Sequence, residues 1–127
     1  MKKFLWLTVV LFVICFYYSC TKDKTQAPAD TTCIAVDSTT NTYNQRIKLI
    51  LDANCAYVGC HDAQFHSGGV ILATYNDAKT AFENMDALCS IKQEGASQCE
   101  PMPQGSPKLA DSLITYIQCW AGNNYPQ

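Results

Sequence analysis

Apolar and polar positions divide this chain into blocks. A fifteen-residue apolar run, Phe4 to Tyr18, follows Lys2 and Lys3 and ends at Ser19-Cys20. A bilayer-spanning helix needs about 18 to 20 such residues, so the run predicts an export signal over residues 1–19 rather than a membrane anchor. From Thr21 to about Thr42 the chain is mostly Thr, Asp, Lys, Ala and Pro with almost no large apolar residue. That block cannot bury a core and predicts a solvated tether over residues 20–42. Cys33 lies inside it and is expected to be pinned to the folded body. A single domain over residues 43–127 remains.

Within the domain the spacing of apolar residues is helical. Asn41 or Thr42 can cap a first helix running to about Asn54, with Ile47, Ile50, Leu51 and Asn54 at i, i+3, i+4 and i+7. Asp62 to Gly69 is polar and glycine-rich, hence a loop, and Val70-Ile71-Leu72 is a short apolar run that lines either the core or a bound group. Thr74, with Asp77 three residues on, opens a second helix to about Leu88 whose inward face is Ala78, Ala81, Phe82, Met85 and Leu88. Cys89 to Gly105 reads as one long loop. Ser106-Pro107 begins the last helix, Ser as cap and Pro where no N–H is needed. Leu109, Leu113, Ile117 and Trp120 form its apolar stripe, and Gly122 ends it. The expected class is all-α, with about three main helices.

Charge changes this picture little. The chain carries a formal −2, and loss of residues 1–19 removes two lysines and no acid, leaving −4. No basic cluster interleaved with aromatics is present, so nucleic acid is not an expected partner.

The cysteines change it more. Cys55-Ala56-Tyr57-Val58-Gly59-Cys60-His61 sets two thiols directly before an imidazole. Two thiols can each add across one haem vinyl group, and the adjacent His then stands under the iron as proximal ligand. The usual spacing has two residues between the cysteines. Four here require an outward bulge, which Gly59 and Ala56 ease. A thioether in the sixth iron position raises the reduction potential and favours electron transfer. Met102, between Pro101 and Pro103, is the better candidate. Met85, on a helical face beside Phe82, reads as core filler. His66 could reach round a ring edge only if fully extended at about 3.4 Å per residue, so it is expected to be an exposed loop residue.

Two resemblances follow from these residues. Ser19-Cys20 resembles a bacterial lipoprotein cleavage site, which implies that Cys20 becomes the lipidated first residue, although Tyr17 stands where Leu is usual. The Cys-x4-Cys-His motif, the Gly68-Gly69-Val70-x-Leu72-x-Thr74-Tyr75 segment, Met102-Pro103, the leucine-led helix and Trp120-Ala121-Gly122 together resemble the small c-type cytochrome domains of Bacteroidetes and Planctomycetes lipoproteins. The likeness spans about residues 43 to 122. It implies one covalent haem c on Cys55 and Cys60, His61 proximal and Met102 distal, and a membrane-anchored single-electron carrier with a redox partner protein. It implies no enzyme activity, since methionine ligation blocks the site a substrate must reach.

Cys33, Cys89, Cys99 and Cys119 then remain, allowing three pairings. A Cys89–Cys99 bridge closes a short loop worth about 2.8 kcal/mol in the chain-entropy model, and Cys33–Cys119 a long one worth about 4.6 kcal/mol. Export to an oxidising compartment permits both. Two other readings fit the same residues. One is a haem-free lipoprotein stapled by three disulfides, with Cys55 bonded to Cys60, serving as a binding or structural module. The other is a zinc module using Cys55, Cys60, His61 and a further Cys, which an oxidising compartment disfavours.

Overall fold

The computed structural model describes residues 31–94 and 99–127. The export signal, the lipidated Cys20 and the tether up to residue 30 lie outside the described residues. Among those described, all regular structure is helical and none is strand. A π-helical turn, Tyr43–Ile47, leads into α1 (Lys48–Asn54); α2 (Tyr75–Asn84), α3 (Ala87–Lys92) and α4 (Asp111–Gly122) follow. No helix among the described residues is long and apolar enough to cross a membrane.

Thr42 opens the first helical segment as expected, its hydroxyl accepting from Gln45 N–H at 3.4 Å. The N–H groups of Arg46 and Ile47 both bond to Thr42 O, at 3.0 and 3.2 Å, which widens the turn and sends Tyr43 and Ile47 inward together. Ile47 and Leu51 are fully buried and Ile50 nearly so. The polar stretch before this segment is docked over its described part. Asn41 is buried, donating from Nδ2 to Tyr116 O at 3.0 Å, and a 3₁₀ turn at Thr31–Ala35 carries Cys33 onto α4. The Cys33–Cys119 disulfide fastens it there, with Cα atoms 5.4 Å apart.

Thr74 caps α2 through Asp77 N–H, but the helix does not continue to Leu88. It ends at Asn84, and Asp86 takes a left-handed conformation (φ 55°) before α3 begins. The expected single helix is therefore two. Asp is among the few side chains that tolerate that geometry. The bend turns Met85 outward, 42% exposed, so it is not the core filler its spacing suggested. It also puts a helix where a loop was expected, and α3 is joined to the chain beyond it by the Cys89–Cys99 disulfide.

The last helix starts at Asp111, not at Ser106-Pro107. Ala110 is extended at its entrance (ψ 137°), and Leu113 and Ile114 N–H bond to Ala110 O at 2.9 and 3.1 Å. Holding 106–110 out of the helix lets Leu109 bury itself separately. The buried stripe is accordingly Ile114, Ile117 and Trp120, with Leu113 only half-buried. Trp120 centres the core. Its ring lies 6.0 Å from Tyr43, 6.0 Å from Phe82 and 5.0 Å from Tyr125, and its Nε1–H donates to Pro126 O at 2.9 Å. The last residues are part of this packing, since Tyr75 OH donates to Tyr125 O and Tyr43 N–H to Pro126 O.

Candidate functional site

The last turn of α1 delivers Asn54 and Cys55 to the rim of a cleft of about 250 Å³. The helix stops there because Cys55 leaves helical geometry (φ −138°), with Cys55 and Ala56 N–H both ending on Leu51 O at 2.8 Å. The chain then bulges and comes back. Gly59 makes the return possible at φ 91°, a conformation that penalises any Cβ. Cys60 N–H bonds to Tyr57 O at 3.0 Å, and His61 N–H closes the loop onto Cys55 O at 3.1 Å. Four intervening residues therefore still bring the end of the motif back to its beginning.

The following segment fixes this loop from outside. Asp62 Oδ1 accepts from Gln64 and Phe65 N–H, and Ser67 N–H donates to Cys60 O at 2.9 Å. His61 is held twice. Its own carbonyl accepts from Leu72 N–H at 2.9 Å, and its ring Nδ1 lies 3.1 Å from Val70 O. A carbonyl can only accept, so Nδ1 carries the proton and Nε2 keeps a lone pair for an external partner. A second bond of this kind, orienting the ring through its non-ligating nitrogen, is what metal-bound histidines show.

Two chain segments line the cleft. The first contributes Asn54, Cys55, Tyr57, Gly59, Cys60, His61 and Ser67, the second Ile91, Met102, Pro103, Gln104 and Leu109. The structure thus brings Cys55, Cys60, His61 and Met102, separated by up to 47 positions in the chain, to one cavity. His66 and Met85 are exposed and do not line it. Among the described residues no carboxylate, Lys or Arg lines it.

Cys55 and Cys60 are free thiols, while Cys33 pairs with Cys119 and Cys89 with Cys99, one of the three pairings the four cysteines allow. Burial, with the neighbouring Cys60 adding to it, pushes the Cys55 thiol from 9.0 up to about 11. Cys60 also sits within hydrogen-bonding reach of the Tyr57 hydroxyl and raises the Tyr57 pKa. Among the described residues no group of three or more His, Cys, Asp or Glu is arranged to hold a metal ion, so the zinc reading finds no ligand set there.

Some contributors were not legible beforehand. The carbonyl of Val70 orients His61, but a backbone acceptor leaves no signature in residue identity. Gln93 donates to Met102 O at 2.9 Å from the end of a helix that the apolar pattern did not reveal. Comparison with known proteins gives no likeness to argue from: no family model, no curated protein and no solved structure matches the chain.

Proposed function

We propose that this chain is a monohaem c-type cytochrome, anchored to a membrane through a lipid on Cys20, that passes single electrons to and from a redox partner protein. One observation carries the reading. The two described cysteines outside disulfides share a cleft with an imidazole whose Nε2 is free and with a thioether.

That donor set fits haem c. Each thiol adds its sulfur and its hydrogen across one vinyl double bond, so attachment neither oxidises nor reduces anything. Burial keeps Cys55 protonated and so slow to react until a partner group such as a haem vinyl is held beside it. His61 offers Nε2 to the iron, and its Nδ1–H bond to Val70 O holds the ring in place and strengthens the ligand. Met102 offers the soft sulfur that stabilises the reduced state. Haem bound in this way supplies one-electron redox chemistry. The cleft is smaller than the roughly 300–1,000 Å³ usual for ligand sites, so it would enclose only part of a haem. The two disulfides belong with export to an oxidising compartment, which is also where haem c is attached in bacteria.

The test is mass spectrometry of the protein produced with haem-attachment machinery, together with a reduced-minus-oxidised visible spectrum. The expected result is a mass gain of one haem that survives denaturation, with sharp reduced bands. An unmodified mass with Cys55 bonded to Cys60 would overturn the reading and leave a disulfide-stapled binding or structural lipoprotein.

A further inference from the structure

Met102 stands in a loop, yet its backbone is held on both sides by the short helix α3. Its N–H donates to Ser90 O at 3.0 Å, and its carbonyl accepts from Gln93 Nε2 at 2.9 Å. A third tie, the Cys89–Cys99 disulfide, fixes the chain three residues upstream of Met102 to the start of the same helix. The Ser90 tie is backbone to backbone and any residue can make it. The Gln93 tie depends on a side chain.

The place where that side chain occurs is informative. Gln93 follows α3 in the left-handed region (φ 55°, ψ 25°), its N–H capping Cys89 O at 3.1 Å. Glycine, and less often asparagine, suits this position, because in the left-handed region a Cβ crowds the following carbonyl oxygen. Glycine would make the same cap with less strain. What glutamine adds is an amide long enough to reach the carbonyl of Met102.

We infer that Gln93 is the positioning residue of the distal ligand, its side-chain amide holding the Met102 carbonyl and so setting where the thioether sulfur stands in the cleft. The inference rests on the haem reading above. It separates two effects that usually move together. Removing the amide weakens the hold on Met102, while glycine at position 93 relieves the left-handed backbone and so offsets the lost hydrogen bond in the stability of the fold.

The experiment uses the haem-loaded full chain as wild type, Gln93→Gly and Gln93→Glu, the last keeping the length but turning the donor into an acceptor. Imidazole is titrated against each ferric protein, with displacement of the thioether read from the iron–sulfur charge-transfer band, and each protein is melted in parallel. Loss of one hydrogen bond corresponds to about a fivefold change in the equilibrium it supports. Imidazole is expected to displace Met102 at about fivefold lower concentration in both variants, with Gln93→Gly melting at or above the wild-type temperature. Less than a twofold change in imidazole affinity in both variants overturns the inference, as does a change that merely follows a fall in melting temperature. A wild-type protein without covalent haem, or without the charge-transfer band, overturns the haem reading itself and the inference with it.

Discussion

Cys55 should be a slow thiol in the folded, haem-free chain, and the rate can be worked out. The perturbation is Cys60→Ser in protein made from residue 21 onward without haem attachment, which leaves Cys55 as the one cysteine outside a disulfide. Burial, with Cys60 adding to it, raises its pKa from 9.0 to about 11 in the native chain; the variant keeps the burial, the larger cause, so the figures that follow are upper bounds. At pH 8 that lowers the thiolate fraction from roughly 9% to roughly 0.1%, about a hundredfold. A more basic thiolate is intrinsically more reactive, and a Brønsted slope of 0.4–0.5 over two units returns about six- to tenfold. The deprotonation effect wins, and the net slowing is about 10- to 16-fold. The assay is reaction with an aromatic disulfide reagent at pH 8, native against urea-unfolded. The same shift has a stability consequence. The unfolded chain releases this proton near pH 9 and the folded chain only near 11, so the full stability is present below pH 9 and is lost as pH rises to 11. The loss is up to about 2.7 kcal/mol. Tyr43 and Tyr125, raised by burial, act in the same direction above pH 10. Equal rates in the native and unfolded protein would refute the half-buried placement of Cys55 on which the account of the cleft depends.

Met102→Ala should abolish the iron–sulfur charge-transfer band and lower the reduction potential of the haem-loaded protein; an unchanged spectrum removes Met102 as distal ligand. Replacing Cys33 and Cys119 together by Ala should cost up to about 4.6 kcal/mol against about 2.8 kcal/mol for Cys89 and Cys99, because the loops span 86 and 10 positions. Urea denaturation checks the order, and a larger loss from the short loop contradicts it. Trp120→Ala should destabilise by about 3–5 kcal/mol, since the ring is fully buried and packs against Tyr43, Phe82 and Tyr125. A urea-midpoint shift equivalent to less than 1 kcal/mol would mean that the core is not centred there.

The sequence by itself determined what depends on neighbours in the chain. The spacing of Ile47, Ile50 and Leu51 marks a buried helix face, because a helix turns the same residues inward wherever it packs. Thr42 and Thr74 mark helix starts, because a hydroxyl at the cap position satisfies an N–H only two or three residues away. The thiols and imidazole of residues 55–61 were legible as a unit for the same reason. The other four cysteines allowed three pairings on sequence, and only the folded chain selects Cys33–Cys119 and Cys89–Cys99.

The tertiary structure decided what depends on distant partners. Ser106-Pro107 is a sound local start signal, but Leu109 buries itself in the domain and the chain stays extended until Asp111. The apolar stripe of α2 continues through Met85 to Leu88 on paper, yet the chain breaks at Asp86, an unfavourable local geometry offset by the packing and by the bridge that joins α3 to the chain beyond it. The cleft itself belongs to this second class. Val70 O meets His61 across nine positions, and Gln93 meets Met102 across nine more. Neither contact follows from residue type or local spacing, because each is made by a group whose partner is set only when separate segments close on one cavity.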